Sequence, residues 1–279
     1  MPARNGAIRI GIGGWNYEPW RKTFYPAAVR QNRELDYASR HVTAIEINGT
    51  FYRLQKPVVF AKWHDSTPES FVFSIKAPRF IVQRKDLTTA GTAMERFFAS
   101  GITELQSKLG PLLWQLADTK AFDPKEIEGF LALLPATAGG LPLRHALEVR
   151  HASFLNSEFL EIARRHEVAV VYEDDAAHPA CADLTSNFVY ARLRRSVASC
   201  PTGYSLPALK NWAQRAQLWA SGKEPTDLPR IATARKTAAS PRDVFIYFIN
   251  GAKERAPAAA QKLMSLLARR RRSKGVISR

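Results

Sequence analysis

Ala146-Leu147-Glu148-Val149-Arg150 alternates strictly between apolar and charged residues. Leu147 and Val149 share one face, suited to a helix layer, while Glu148 and Arg150 share the other, toward a sheet interior. Seven further runs have the same length and character: Ile8–Gly13, Ala44–Asn48, Phe71–Lys76, Pro111–Leu116, Val168–Glu173, Phe188–Leu193 and Val244–Ile249. Most are β-branched or aromatic and short enough to be buried parallel strands. Helical patterns fall between them, so the chain is read as α/β, a single closed TIM-type (β/α)8 barrel. An open doubly wound sheet is the alternative, because pattern alone does not show closure.

The helical stretches carry their own signals. Thr92–Leu109 spaces Met94, Phe97, Phe98, Ile102 and Leu105 as one apolar stripe. Asp123-Pro124 reads as an N-cap followed by proline at the first helical position. Ser157–His166 reads as a helix with a serine cap, and Pro207–Ala220 and Pro257–Arg269 as the last two helices. Between the seventh and eighth strands the spacing exceeds what one helix needs. The excess, Ser221 to Arg242, holds Arg230, Arg235, Lys236 and Arg242 and reads as a basic insertion. Residues 1–267 are expected to form one barrel domain, and the basic tail 268–279 to be disordered.

Composition narrows the classes. With 279 residues, 46% hydrophobic and 24% charged, the chain can bury a full core in one α/β barrel. No run approaches the ~18 apolar residues of a membrane span, and Met1 to Arg9 lacks the apolar segment of a secretory signal. Two cysteines, Cys181 and Cys200, have no metal-ligand pairing, so a reduced, cytoplasmic protein is expected. Lys+Arg 41 against Asp+Glu 25 leaves 41 − 25 = +16. Six of those charges lie in the tail, at Arg269, Arg270, Arg271, Arg272, Lys274 and Arg279. The body is therefore basic too, which favours polyanions as encounter partners.

Barrel enzymes place their chemistry at the C-terminal ends of the strands. There this sequence puts Glu46 and Asn48, Lys76, Gln115, Glu148 and Arg150, Asp174, Arg192 and Asn250. One reading is a structural ion-pair network capping the barrel; the repetition at one end favours a site.

Several segments carry a family resemblance. Ile10-Gly11-Ile12-Gly13-Gly14-Trp15 with Tyr25-Pro26 resembles the opening of the YecE-like family, also called domain of unknown function 72. So do Glu46-Ile47-Asn48-Gly49-Thr50-Phe51-Tyr52, Phe73-Ser74-Ile75-Lys76-Ala77-Pro78 and Glu148-Val149-Arg150-His151, with Tyr190-Ala191-Arg192-Leu193 and Tyr247-Phe248-Ile249-Asn250 near the end. The resemblance covers about residues 8 to 267 and implies a closed β/α barrel with a site at the strand ends, but no established reaction. Three departures stand out. Arg194-Arg195 replace a usual His-Gly, Val82-Gln83 replace a usual Thr-His, and only Asn250 remains of paired asparagines.

The residues suit acid–base chemistry on an anionic ligand. Glu148, Lys76, Asp174 and Glu46 are the catalytic candidates, with Glu148 as general acid or base and Lys76 as an alternative Schiff-base amine. Arg150 and Arg192 offer planar forks for a phosphate or carboxylate, and Asn48, Gln115, Asn250, Trp15 and Tyr52 complete the binding set. No metal centre and no cofactor is predicted: His151 reads as a loop histidine capping the next helix, and no His-x-x-x-His spacing occurs. A small anionic ligand is the expected partner. The alternative is a nucleic-acid-associated protein, with binding or with phosphodiester or abasic-site cleavage, using the insertion, the tail and stacking aromatics such as Trp15, Tyr17, Trp20 and Tyr52.

Overall fold

Every strand pairing in the main sheet is parallel, and the sheet closes on itself. The computed structural model describes residues 5–232 and 240–275. Its barrel strands are Ile8–Gly13, Ala44–Ile47, Val72–Lys76, Leu109–Gln115, His145–Glu148, a sixth in two pieces, Phe188–Leu193 and Asp243–Phe248. The first pairs with both the second and the eighth, as a barrel requires. Closure is completed by the interrupted sixth strand. Its first piece, Ala169–Val170, pairs with the fifth strand, and its second, Tyr172–Asp174, pairs with the seventh. The break falls at Val171, whose N–H donates to Leu147 O at 3.0 Å.

Alternation sorts the core into two layers. Ala44, Val72, Leu113, Ala146, Tyr190 and Tyr247 pack with one another inside the barrel, while Ile45, Ile75, Leu147 and Leu193 face the helices. The first strand contributes glycine where bulk would not fit: a Cβ on Gly11 would stand 2.4 Å from Ala44 O and 2.7 Å from the Tyr247 ring. At the opposite end, Arg144 lies over Phe245 at 4.8 Å and pairs with Asp243 at 2.9 Å.

Several boundaries differ from the sequence reading. The stripe expected as one helix over 92–109 is two elements, Gly91–Phe98 and a 3-10 segment Ile102–Lys108. Gly101 separates them at φ 98°, where a Cβ would meet Pro57 Cα at 2.5 Å. The helix Ser157–Arg165 is capped by Asn156, whose side chain accepts from Phe159 N, rather than by Ser157. Asp123 does cap Pro124–Ala132, accepting from Glu126 N at 2.9 Å. The sixth strand is followed by no helix: residues 175–187 return as irregular chain.

The described part of the Ser221–Arg242 insertion follows the helix Leu206–Ala220, so it lies at the end of the barrel opposite the strand C-termini. Pro229 O accepts from Ala182 N, and Asp183 accepts from Ile231 N and Ala232 N, anchoring it to the 175–187 return. Arg235, Lys236 and Arg279 lie outside the described residues. The last helix, Ala256–Gly275, continues past Leu267. Among the described residues no helix is long and apolar enough to cross a membrane.

Candidate functional site

Register brings the inward polar residues to similar height. Gly13 is level with Glu46, Glu46 with Ser74, Gln115 with Glu148, and Arg192 with both Glu173 and Tyr247. Arg192, 2% exposed, is the hub. Its Nε and Nη2 donate to the two oxygens of Glu46, each at 3.0 Å, and its Nη1 donates to Glu148 Oε2. Tyr190 OH donates to Glu46 Oε2 at 2.7 Å, and Gln115 Nε2 donates to Glu148 Oε1 at 2.5 Å. Both carboxylates are fully buried, so these bonds offset a desolvation cost of several kcal/mol per ion.

Arg150 links this hub to a second group. Its Nε donates to Glu148 Oε1 at 2.8 Å, its Nη1 to Asp118 Oδ1 at 3.1 Å, and its Nη2 stands 3.6 Å from Glu173 Oε1. Arg194 Nη1 also donates to Glu173 Oε1, and its Nε lies 3.2 Å from Asp175 Oδ2. Asn250, with its amide oxygen toward this guanidinium, accepts from Arg194 Nη2 at 2.9 Å. Asp174 is set apart from these groups and pairs instead with Arg195 at 3.3 Å. The inward position on the sixth strand belongs to Glu173. The sequence reading chose Asp174 there, although the alternation Ala169, Val171, Glu173 points Glu173 inward.

The titrations separate the two proton-transfer candidates. Burial alone would raise the Glu148 carboxyl, but Arg192 and then Arg150 hold it down to about 2. It is an anion throughout the neutral range. Lys76 behaves differently. Burial, then Arg192, lowers its ammonium to about 8, against the opposing pull of Glu46 and Glu148. No ion pair joins Lys76 to a carboxylate among the described residues; its Nζ rests 4.0 Å from the centre of the Phe51 ring. Thr50 Oγ1 donates to both Ile47 O and Lys76 O, at 3.1 and 2.7 Å, tying the ends of the second and third strands together.

A cavity of about 330 Å³ opens beside these ends. Trp15, Tyr17, Asn48, Trp63, Arg53 and Lys253 are among the residues that line it. Gly14, at φ 74°, turns the chain at its edge, and a Cβ there would meet nothing within 4 Å. Trp15 packs edge-on against Trp63 at 5.2 Å. Lys253 Nζ lies 4.7 Å from the Tyr17 ring centre, and burial lowers its ammonium.

The sequence candidates therefore divide into groups. Glu46, Glu148, Arg150, Arg192 and Gln115 form the buried network, with Lys76 beside it. Trp15 and Asn48 line the cavity instead, and Tyr52 is 68% exposed outside its lining. Sequence reasoning missed Arg53, Lys253 and Trp63 because all three come from connecting segments rather than strand ends. Trp20, read as a possible stacking surface, is fully buried with its Nε1 donating to Lys253 O at 2.9 Å. His151 caps Ala152–Phe154, accepting from Ser153 N at 3.2 Å. Cys181 is buried, which raises its thiol to about 12 and leaves it unreactive near neutrality.

The family model described as "Protein of unknown function DUF72" matches residues 9–277. The chain belongs to the DUF72 family. Among relatives of this DUF72 chain, the UPF0759 protein YecE of Escherichia coli K12 is 27% identical over 147 residues, 53% of this chain and 50% of that protein. The UPF0759 protein YunF of Bacillus subtilis 168 is 28% identical over 160 residues, 55% of this chain and 54% of that protein. The chain thus spans about half the length of the curated relatives it matches. A crystallised DUF72 family protein of Thermotoga maritima shares the fold over 94% of this chain and 99% of its own, with a TM-score of 0.70 at 20% identity. Within this DUF72 barrel, Arg194, at one of the three departures from the family pattern, joins Glu173, Asp175 and Asn250.

Proposed function

We propose that this DUF72 protein is an enzyme that binds a phosphate- or carboxylate-bearing ligand at the strand C-termini and uses Lys76 for acid–base chemistry. The observation that carries this reading is that Lys76 has no carboxylate partner among the described residues, whereas Arg150, Arg192, Arg194 and Arg195 at the strand ends each have one. An amine titrating near the working pH can take a proton from a bound substrate and return it. Burial and then Arg192, which Glu46 and Glu148 fix in position, hold the Lys76 ammonium below its ordinary value. Arg53 and Lys253 supply the positive charge for the ligand's anionic group, while Trp15, Tyr17 and Trp63 provide apolar faces for its body.

A thermal-shift panel of phosphorylated and carboxylated sugars tests this. Stabilisation by one member, lost in Lys253→Ala and kept in Lys76→Met, is the expected result. An absence of stabilisation across the panel, or one that survives Lys253→Ala unchanged, contradicts it.

The net charge of +16 favours a second reading, association with nucleic acid. The described part of the insertion belongs to the barrel end remote from Lys76, so the charge of Arg230 and Arg242 would act apart from the cavity. Fluorescence anisotropy with intact and abasic duplexes across salt separates the two. A preference for the abasic duplex at physiological salt would favour nucleic-acid chemistry; equal binding that fades with salt reduces the charge to counterion release.

A further inference from the structure

After the second piece of the sixth strand, the chain turns through Asp175 to His178 and brings both beside inward-facing Glu173. One ligand atom from each of these three lies within 4.8 Å of the other two. His178 Nδ1 stands 3.5 Å from Glu173 Oε2 and 3.1 Å from Asp175 Oδ2. Donors bound at roughly 2.0–2.1 Å to one tetrahedral ion are themselves ~3.3 Å apart, so both separations already approximate ligand spacing.

A second observation points to the same space. Glu173 is 1% exposed, and its Oε2 accepts no hydrogen bond. A buried carboxylate oxygen without a donor is costly, and Arg150 and Arg194 both address the other oxygen, Oε1. On the far side of the imidazole, His178 Nε2 faces Asp118 Oδ2 at 3.7 Å. His178 Nδ1 is also within hydrogen-bond distance of Asp175 Oδ2, so coordination through Nδ1 moves the ring proton to Nε2, where the Asp118 carboxylate favours it, the usual support for a metal-bound histidine. Charge is compatible as well. Glu173, Asp175, Asp118 and Glu148 face Arg150 and Arg194, with Glu148 shared with Arg192, so carboxylates outnumber arginines around the loop.

We propose that Glu173, Asp175 and His178 bind a divalent transition-metal ion that accepts mixed nitrogen and oxygen ligands, with zinc as the representative. The imidazole argues against magnesium or calcium, which favour oxygen-only sets. Binding replaces the contact between Arg194 Nε and Asp175 Oδ2. This site is hard to read from sequence, because His178 follows Asp175 on a loop and Glu173 reaches them only through the inward turn of its strand.

The test is calorimetric titration of the chelator-stripped full chain with Zn²⁺ alone. One zinc per chain is expected, with affinity at least ~10-fold weaker in His178→Ala and unchanged in His151→Ala, a histidine outside the cluster. Asp118→Asn, at a largely exposed residue, is expected to weaken zinc by about 10-fold and to serve if His178→Ala does not fold. Absence of zinc binding, or an affinity that the folded variant at 178 or 118 leaves unchanged, overturns the proposal. The readout is stoichiometry and affinity, so its failure is distinct from failure of the proposed activity.

Discussion

Arg192 and Lys76 are both cations at the strand ends, and their surroundings give them opposite roles. Arg192 neutralises two fully buried carboxylates, so its removal leaves both charges without their main partner. Arg192→Ala is expected to lower stability by about 3–5 kcal/mol, measured as a shift in urea midpoint. Lys76 is destabilising in its charged form because burial holds its titration near 8 rather than 10.5. Below pH 8 both folded and unfolded chains carry this proton, and the folded state bears the full desolvation cost. Between 8 and 10.5 the unfolded state binds more protons, so stability from this group rises with pH across that window. Lys76→Met is therefore expected to stabilise the chain near neutrality by up to about 3 kcal/mol, with the gain shrinking as pH approaches 10.5. At this scale the sequence showed Glu46, Glu148, Arg150 and Arg192 through simple alternation. It did not show which charges would meet. Separating the paired arginines from the unpaired lysine requires coordinates, because the partners are far apart in the chain.

Among the elements, caps and glycines fix boundaries that hydrophobic periodicity leaves open. Asn156 and Ser157 both have N-cap chemistry, and only Asn156 reaches the free N–H of Phe159, at 2.9 Å. Circular-dichroism melts are expected to show a loss of about 1 kcal/mol for Asn156→Ala and little change for Ser157→Ala. The stripe over 92–109 concealed a break because apolar residues continue in helical spacing across Gly101, while the backbone there turns left-handed against Pro57. The interruption at Val171 was equally hidden, since Val168–Glu173 reads as one apolar run whichever neighbour each half pairs with. Gly11→Ala tests the packing on the barrel's inner wall. A methyl group 2.4 Å from Ala44 O must displace backbone, so a loss of at least about 1–3 kcal/mol in chemical denaturation is expected.

For the whole molecule, eight strand runs in βα order already implied the barrel, and the closed parallel sheet agrees. The cavity was much less legible, because it is assembled from connections after the first, second and eighth strands. A charged network fills the centre of the strand ends, and the open volume lies to one side of it. Lys76, the proposed reactive group, belongs with the network and is not among the residues that line that volume. The most direct check is an NMR titration of lysine side chains in the full chain, with the Lys76 signal assigned by its loss in Lys76→Arg. A midpoint near 8 is the predicted result. A midpoint at the ordinary 10.5 would mean that Lys76 stays charged throughout the neutral range and would contradict its role in proton transfer.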